Sequence, residues 1–189
     1  LLKNKAKKIY AVDVGTNQIH ESLKKQKKII SLDKTNARYL NSKIIPEKID
    51  LIVCDTSFIS LKTVLKPSLV FLNKTKGMII ALIKPQFEAG KERVLKGGVI
   101  RDATVHVEVI KRIQAEVNQL GWSLAGLTYS PLQGPAGNTE FLSLLACSRS
   151  NHSRYEYESM VKQQIQSVVQ QAHQYFSNRV FTHQADSVN

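Results

Sequence analysis

Cysteine is scarce in this chain of 189 residues: Cys54 and Cys147 are the two it has. Each sits in an apolar run, and neither has the spacing of a metal-ligand pair. They read as small buried hydrophobes of a protein kept in a reducing compartment. Long hydrophobic runs are missing as well. A membrane-spanning helix needs ~18 consecutive apolar residues, and the longest candidate, residues 78–83, lies between Lys76 and Lys84. Leu1-Leu2 leads straight into Lys3, Lys5, Lys7 and Lys8, which is not the order of a secretory leader. Acidic residues are few: 15 against 27 Lys and Arg, a formal net charge of +12. That excess favours a polyanionic partner, nucleic acid before acidic lipid. The share of apolar residues, 42%, suffices for one sizeable core, so one domain is the default. No internal repeat or low-complexity tract interrupts it.

The apolar residues come in short runs. Residues 78–83, rich in isoleucine, read as a buried strand. The run stops at Lys84, because Pro85 forces the preceding residue into an extended conformation and cannot itself donate to a ladder. An ammonium group therefore stands at the carboxyl end of a strand, where open α/β sheets bind ligands, ahead of a polar loop, residues 86–96. Such a lysine is either a functional group or a solvated strand end. Residues 9–14, 27–32 and 49–54 read as further strands, ending at Asp13, Asp33 and Asp55. Asn17 is placed to cap a helix running to Lys25 with Ile19 and Leu23 on its apolar face. Ser60 caps another, carrying Leu61, Val64, Leu65, Leu69 and Leu72, which Pro67 bends. Asp102 caps a long helix with Val109, Ile110, Ile113, Val117 and Leu120 on one face, closed by Gly121.

Residues 122–129 and 141–146 read as two strands joined by the turn-rich Ser-Pro-Leu-Gln-Gly-Pro-Ala-Gly-Asn. Residues 148–153 form a polar linker. Val161, Ile165, Val168, Ala172 and Phe176 then mark an amphipathic helix over 151–178, and 179–189 is a polar tail expected to be disordered. Residues 1–8 read as the last turn of a helix, with Asn4 at a left-handed cap, an expectation of further chain upstream. Strands alternating with helices, then a closing pair of strands, predict a doubly wound, mostly parallel α/β sheet with one antiparallel strand over residues 1–150.

The strand ends hold the chemistry. Asp13 suits a nucleoside, since a carboxylate there accepts ribose hydroxyl protons; it equally suits a turn. Residues 33–36 either approach a base or form a turn. If the strands of Asp55, Lys84 and Glu140 are neighbours, about 4.8 Å apart, these side chains converge. A structural salt-bridge cluster is the other reading of that trio.

Together the segments D-V-G, K-T-N-A-R-Y-L, D-T-S-F-I-S, I-K-P-Q-F-E-A-G-K-E, K-G-G-V-I-R-D, G-L-T-Y-S-P and G-P-A-G-N-T-E-F-L resemble the TlyA family. Its members are often labelled hemolysins, and their fold is similar to FtsJ-like ribose methyltransferases. The resemblance runs from about Lys7 to Leu145. It implies a Rossmann-like enzyme of the cytoplasm that transfers a methyl group from S-adenosylmethionine to a ribose 2′-oxygen of ribosomal RNA. The family's Lys-Asp-Lys-Glu tetrad would place its last three members on Asp55, Lys84 and Glu140. The resemblance puts the cofactor on Asp13, Val14, Gly15, Thr35, Asn36 and Asp55. Two features of the family pattern are not in this sequence. One is an upstream strand and Gly-rich loop with the first tetrad lysine; this strand is expected to be central, between the Asp13 and Asp55 strands. The other is a small amino-terminal RNA-binding domain. Where the family carries Trp-Lys, this chain has His20-Glu21-Ser22.

The expected reaction needs a stabiliser for a developing alkoxide. Two flanking carboxylates favour the ammonium form of a lysine, so Lys84 reads as that cation rather than as a free-amine base. Lys91, Arg93, Lys96 and Arg101 are expected to hold RNA phosphates, contacts that position without specifying sequence. No metal is expected. Three rival readings are a non-catalytic RNA-binding module, a methyltransferase of another substrate class and a membrane-active hemolysin. The last has one candidate element, residues 160–176, with too little positive charge for a strong interfacial helix.

Overall fold

The computed structural model describes residues 1–147 and 154–185. The expected linker at 148–153 and the last residues of the expected tail, 186–189, lie outside the described residues. The chain packs as two compact units, residues 1–49 with 63–72 and residues 50–62 with 73–189.

In the first unit β1 (Ile9–Val12) pairs in parallel with β2 (Ile29–Leu32), Ile9 opposite Ile29. Both strands are shorter than the apolar runs predict, and no residue of either is fully buried. The helix expected from Asn17 is a single turn, α1 (Glu21–Lys24), and His20 caps it by accepting the Ser22 N–H. Asn17 instead takes a left-handed turn, φ 58°, which the short Asn side chain tolerates better than most. At the amino terminus a 3₁₀ turn, Leu2–Asn4, ends on Lys5 at φ 61°, one residue later than the Asn4 cap expected. Ile45, Val64, Leu65, Phe71 and Leu72 are the buried apolar residues of this unit.

The chain passes between the units within α2 (Leu61–Ser68), which tightens after Pro67 into a 3₁₀ turn, Leu69–Phe71. The missing N–H of proline favours such an end.

The second unit holds a four-stranded sheet in the order β3-β4-β6-β5: β3 (Leu51–Cys54), β4 (Met78–Ile83), β5 (Trp122–Tyr129) and β6 (Phe141–Cys147). β3 and β4 are parallel, and β6 runs antiparallel to both β4 and β5, which is the one antiparallel member expected. A register shift in β5 between Leu124 and Gly126 accommodates the twist of the last pair. Asp102 caps α4 (Ala103–Gln119) by accepting the Thr104 N–H, and Gly121 closes it at φ 81°. Beyond the sheet α5 (Arg154–Ala185) is helical through 185, past the expected end at 178.

One face of this sheet is the core. Ile79, Ala81, Ile83, Phe141 and Leu145 are at most 1% exposed, beneath α4 and α5. On the other face Val53 and Ile80 stay exposed, so β4 alternates instead of being buried on both sides. Among the described residues no helix is long and apolar enough to cross a membrane.

Candidate active site

Pro85 decides the local structure at the end of β4. Lys84 is extended (φ −113°, ψ 94°) and caps a one-turn helix, α3 (Pro85–Glu88), with Pro85 at its first position. The polar loop expected from residue 86 is thus helical in its first turn, since proline's fixed φ is pre-organised for a helix start. The adjoining β3 ends one residue before Asp55, and β6 begins one residue after Glu140. Because Ile83 lies opposite Phe141, Lys84 and Glu140 stand at the next position on neighbouring strands.

The structure brings Asp55, Lys84 and Glu140 to one sheet edge, with different roles. Lys84 Nζ lies 2.6 Å from Asp55 Oδ1 and donates to Ser57 Oγ at 3.2 Å. The Lys84 side chain is 14% exposed and that of Asp55 63%, so the ammonium is sheltered while its counter-ion faces water. An ammonium has three donors, and these contacts use two. Among the described residues Glu140 makes no ion pair with Lys84. It is buried and accepts from Gln86 Nε2 at 3.3 Å. Gln86 Oε1 is buried and has no hydrogen-bond partner among the described residues. Gly134 supplies the clearance for Glu140, because a Cβ there would meet Glu140 Oε1 at 2.9 Å.

Several residues that sequence reasoning missed hold this edge together. Buried Asn138 accepts the Ile100 N–H at 3.0 Å and donates to the Gly98 carbonyl at 2.8 Å, tying the turn ahead of Glu140 to the loop ahead of α4. Glu88, whose side chain is 6% exposed, accepts the Leu61 N–H at 2.7 Å and faces Arg112 at 3.8 Å. Burial pushes its carboxyl above the usual range, against the pull of the Leu61 N–H. It thereby joins the segment after Lys84 to the start of α2, the element that follows Asp55 and Ser57. Phe58 is 89% exposed with φ 61°, a conformation costing a non-glycine residue about 1–2 kcal/mol. Its ring lies 4.6 Å from that of Phe87. The sequence signal was an aromatic three residues after a strand-ending acid, in Asp55-Thr56-Ser57-Phe58.

Buried His106 on α4 also meets half-buried His173 on α5. Nδ1 of His106 lies 2.9 Å from Nε2 of His173, Phe141 packs on the His106 ring, and His106 Nε2 has no partner among the described residues. Burial, then the neighbouring imidazole, drives the pKa of His106 down from 6.5 to about 4; burial lowers His173 as well.

In the first unit Asp13 Oδ1 accepts the Gly15 N–H at 2.7 Å, the contact a turn-forming Asp makes. The two strand ends are stitched: Thr35 N–H donates to the Asp13 carbonyl at 2.9 Å and Lys34 N–H to the Gly15 carbonyl at 3.0 Å. Asp33 accepts from the Asn17 N–H and from Ser31, which hold its carboxyl below the usual range. Asn36 caps a short turn by accepting the Arg38 N–H. Asp13, Val14, Gly15, Thr35 and Asn36 thus share one loop cluster, while Asp55 belongs to the second unit. Of the loop lysines and arginines, Arg93 is paired with Glu108, while Lys91, Lys96 and Arg101 are exposed. No group of three or more potential metal ligands occurs among the described residues.

Residues 1–147 match the FtsJ-like methyltransferase family. The chain belongs to that family. Over 141 residues it is 41% identical to the 16S/23S rRNA (cytidine-2′-O)-methyltransferase TlyA of Mycobacterium tuberculosis, covering 75% of this chain and 52% of that protein. Over 142 residues it is 40% identical to the 23S rRNA (cytidine-2′-O)-methyltransferase TlyA of Campylobacter jejuni, covering 75% and 54%. The chain therefore spans about half the length of these curated relatives. A solved structure of a hemolysin-named protein from Streptococcus thermophilus superposes with a TM-score of 0.84 at 36% identity, covering 94% of this chain and 62% of that one.

Proposed function

We propose that this FtsJ-like chain forms part of an S-adenosylmethionine-dependent 2′-O-methyltransferase acting on ribosomal RNA in the cytoplasm. The observation that carries the reading is the sheltered Lys84 ammonium at a strand end, paired with Asp55 and set beside buried Glu140. The residues of the first unit fit the nucleoside part of the cofactor. Asp13 Oδ2 has no hydrogen-bond partner among the described residues and remains for a ribose hydroxyl, and Val14, 68% exposed, offers an apolar surface to a base. Gly15, Thr35 and Asn36 shape the same loops.

When bound, the cofactor would supply a methyl group on a sulfonium, whose sulfur–methyl bond breaks to leave a neutral thioether. Lys84 Nζ would stabilise the negative charge that grows on the ribose 2′-oxygen as its proton leaves. Asp55 holds Lys84 in place and, being exposed, passes the proton to water. Glu140, fixed by Gln86 and the Gly134 turn, orients the ribose. Phe58 and Phe87 present an aromatic surface on which an unstacked base can lie. Lys91, Lys96 and Arg101 take phosphates, with Arg93 already engaged by Glu108.

Mass spectrometry of ribosomal RNA from a strain lacking the gene tests this reading. One or more ribose methylations should vanish and return with the wild-type gene. An unchanged methylation pattern would overturn it.

A further inference from the structure

Positive charge is not spread evenly over the chain. The first unit holds 13 Lys and Arg against 4 Asp and Glu, and the second holds 14 against 11. The topology gathers much of the first set. Lys7 and Lys8 lead into β1, and Lys27 and Lys28 lead into β2. Parallel pairing with Ile9 opposite Ile29 puts the two lysine pairs side by side at the amino edge of the sheet, and the Ile9 N–H donates to the Lys28 carbonyl at 2.8 Å. Neighbouring strands lie about 4.8 Å apart. Lys25 follows α1 into the same turn, and Lys3 and Lys5 lie on the 3₁₀ turn just ahead of β1.

Few acids answer this charge. Glu47 is taken by Lys8 at 2.5 Å and by the Tyr10 hydroxyl, and Glu21 by Lys24 at 2.9 Å. Among the described residues Lys3, Lys5, Lys7, Lys25, Lys27 and Lys28 make no ion pair, and all six are exposed. The carboxyl edge of the same two strands, by contrast, carries Asp13 and Asp33. A sheet end that collects ammonium groups this closely repels itself unless something anionic neutralises it. Small anions do so loosely; a polymer with regularly spaced phosphates does so cooperatively, releasing its condensed counterions.

We infer that the amino edge of the β1–β2 sheet is a docking surface for an RNA backbone, separate from the loops at its carboxyl edge. This rests on the ribosomal RNA reading above and names a second place where that RNA is held. The contact is to phosphates, so it sets position and on-rate rather than sequence. RNA is favoured over an anionic membrane because α1 spans four residues, too short for an amphipathic anchor lying in a bilayer surface.

The experiment measures binding of the protein to a transcribed ribosomal RNA stem across a range of salt, with Lys7, Lys25, Lys27 and Lys28 changed together to Gln. The slope of log K against log salt should fall by about 3, as expected for four lost phosphate contacts. Changing four scattered exposed lysines, Lys43, Lys66, Lys74 and Lys162, to Gln removes the same charge and should alter the slope by less than about 1. Thermal midpoint and methyl transfer at saturating RNA should stay at wild-type values in both variants. Equal slope changes in the two variants would overturn the surface and leave only net charge. An unchanged slope, together with lost binding to vesicles containing phosphatidylserine, would overturn RNA in favour of a membrane. If the wild type transfers no methyl group but the slope change holds, the enzymatic reading fails and the docking surface stands.

Discussion

The two units of this chain solve different problems with similar elements. In the second, β4 and β6 are anchored by residues at most 1% exposed, among them Ile79, Ile83, Phe141 and Leu145, and Lys84 and Glu140 extend directly from those strands. Their positions follow from a packed core. In the first, β1 and β2 bury no residue fully, and the loops around Asp13 and Asp33 are held by backbone hydrogen bonds instead. One unit places charge by burial, the other gathers it at a surface. A reacting group has to be held in its geometry, and a close-packed interior does so, whereas a nucleoside or phosphate contact needs an accessible backbone loop.

Substitutions at four residues test that contrast, beginning with the greatest effect. Lys84→Ala should lower kcat for methyl transfer about a hundred- to a thousandfold, as for removal of one donor at a developing oxyanion, ~3–4 kcal/mol in barrier. Cofactor affinity by calorimetry should be unchanged. Activity within about tenfold of wild type would return Lys84 to a salt-bridge role.

Next comes the histidine pair of the second unit, with His106 buried. With the pKa of His106 at about 4 in the folded state and near 6.5 unfolded, the unfolded chain binds more protons between these values. Stability is then complete above about pH 6.5 and falls by about 3 kcal/mol on going from pH 7 to pH 4. His173, also lowered by burial, adds in the same direction, and Asp102, which favours the charged His106, opposes it. Urea midpoints against pH should show this slope, and His106→Leu should flatten it. A parallel slope in the variant would assign the acid sensitivity to other groups.

In the first unit, Asp13→Ala should weaken S-adenosylmethionine binding by about 2 kcal/mol, the scale of hydrogen bonds to a charged group. Calorimetry giving wild-type affinity would leave Asp13 with its turn to Gly15 alone.

Glu88 gives the smallest effect. Glu88→Ala should reduce kcat about fivefold, roughly 1 kcal/mol, with KM for RNA unchanged, because the Leu61 N–H loses its acceptor and the Asp55–Ser57 segment loosens around Lys84. Glu88→Gln keeps an acceptor oxygen and should restore most of the rate. Equal losses in both variants would show that the Arg112 pair matters, not the tie to α2.

Much of the fold was legible because its signals are local. Pro85 ends β4 at Lys84 through its own φ and missing N–H, and Asp102 caps α4 by reaching an N–H two residues on. Gly121 closes that helix by a conformation that needs no partner. The helix expected from Asn17 failed for the same reason in reverse: four residues of α1 bury nothing, so propensity had no packing to support it. What only the tertiary structure decided depends on contacts between residues far apart in sequence. Asp55, not Glu140, pairs with Lys84, although register puts Glu140 opposite. His106 meets His173 and Asn138 latches residues 98–100. Lys7-Lys8 and Lys27-Lys28 come side by side because two parallel strands start in register. A sequence specifies each strand's length and ends through neighbouring backbone atoms, but which strand ends meet, and which side chains then face each other, is set by burial of the shared core.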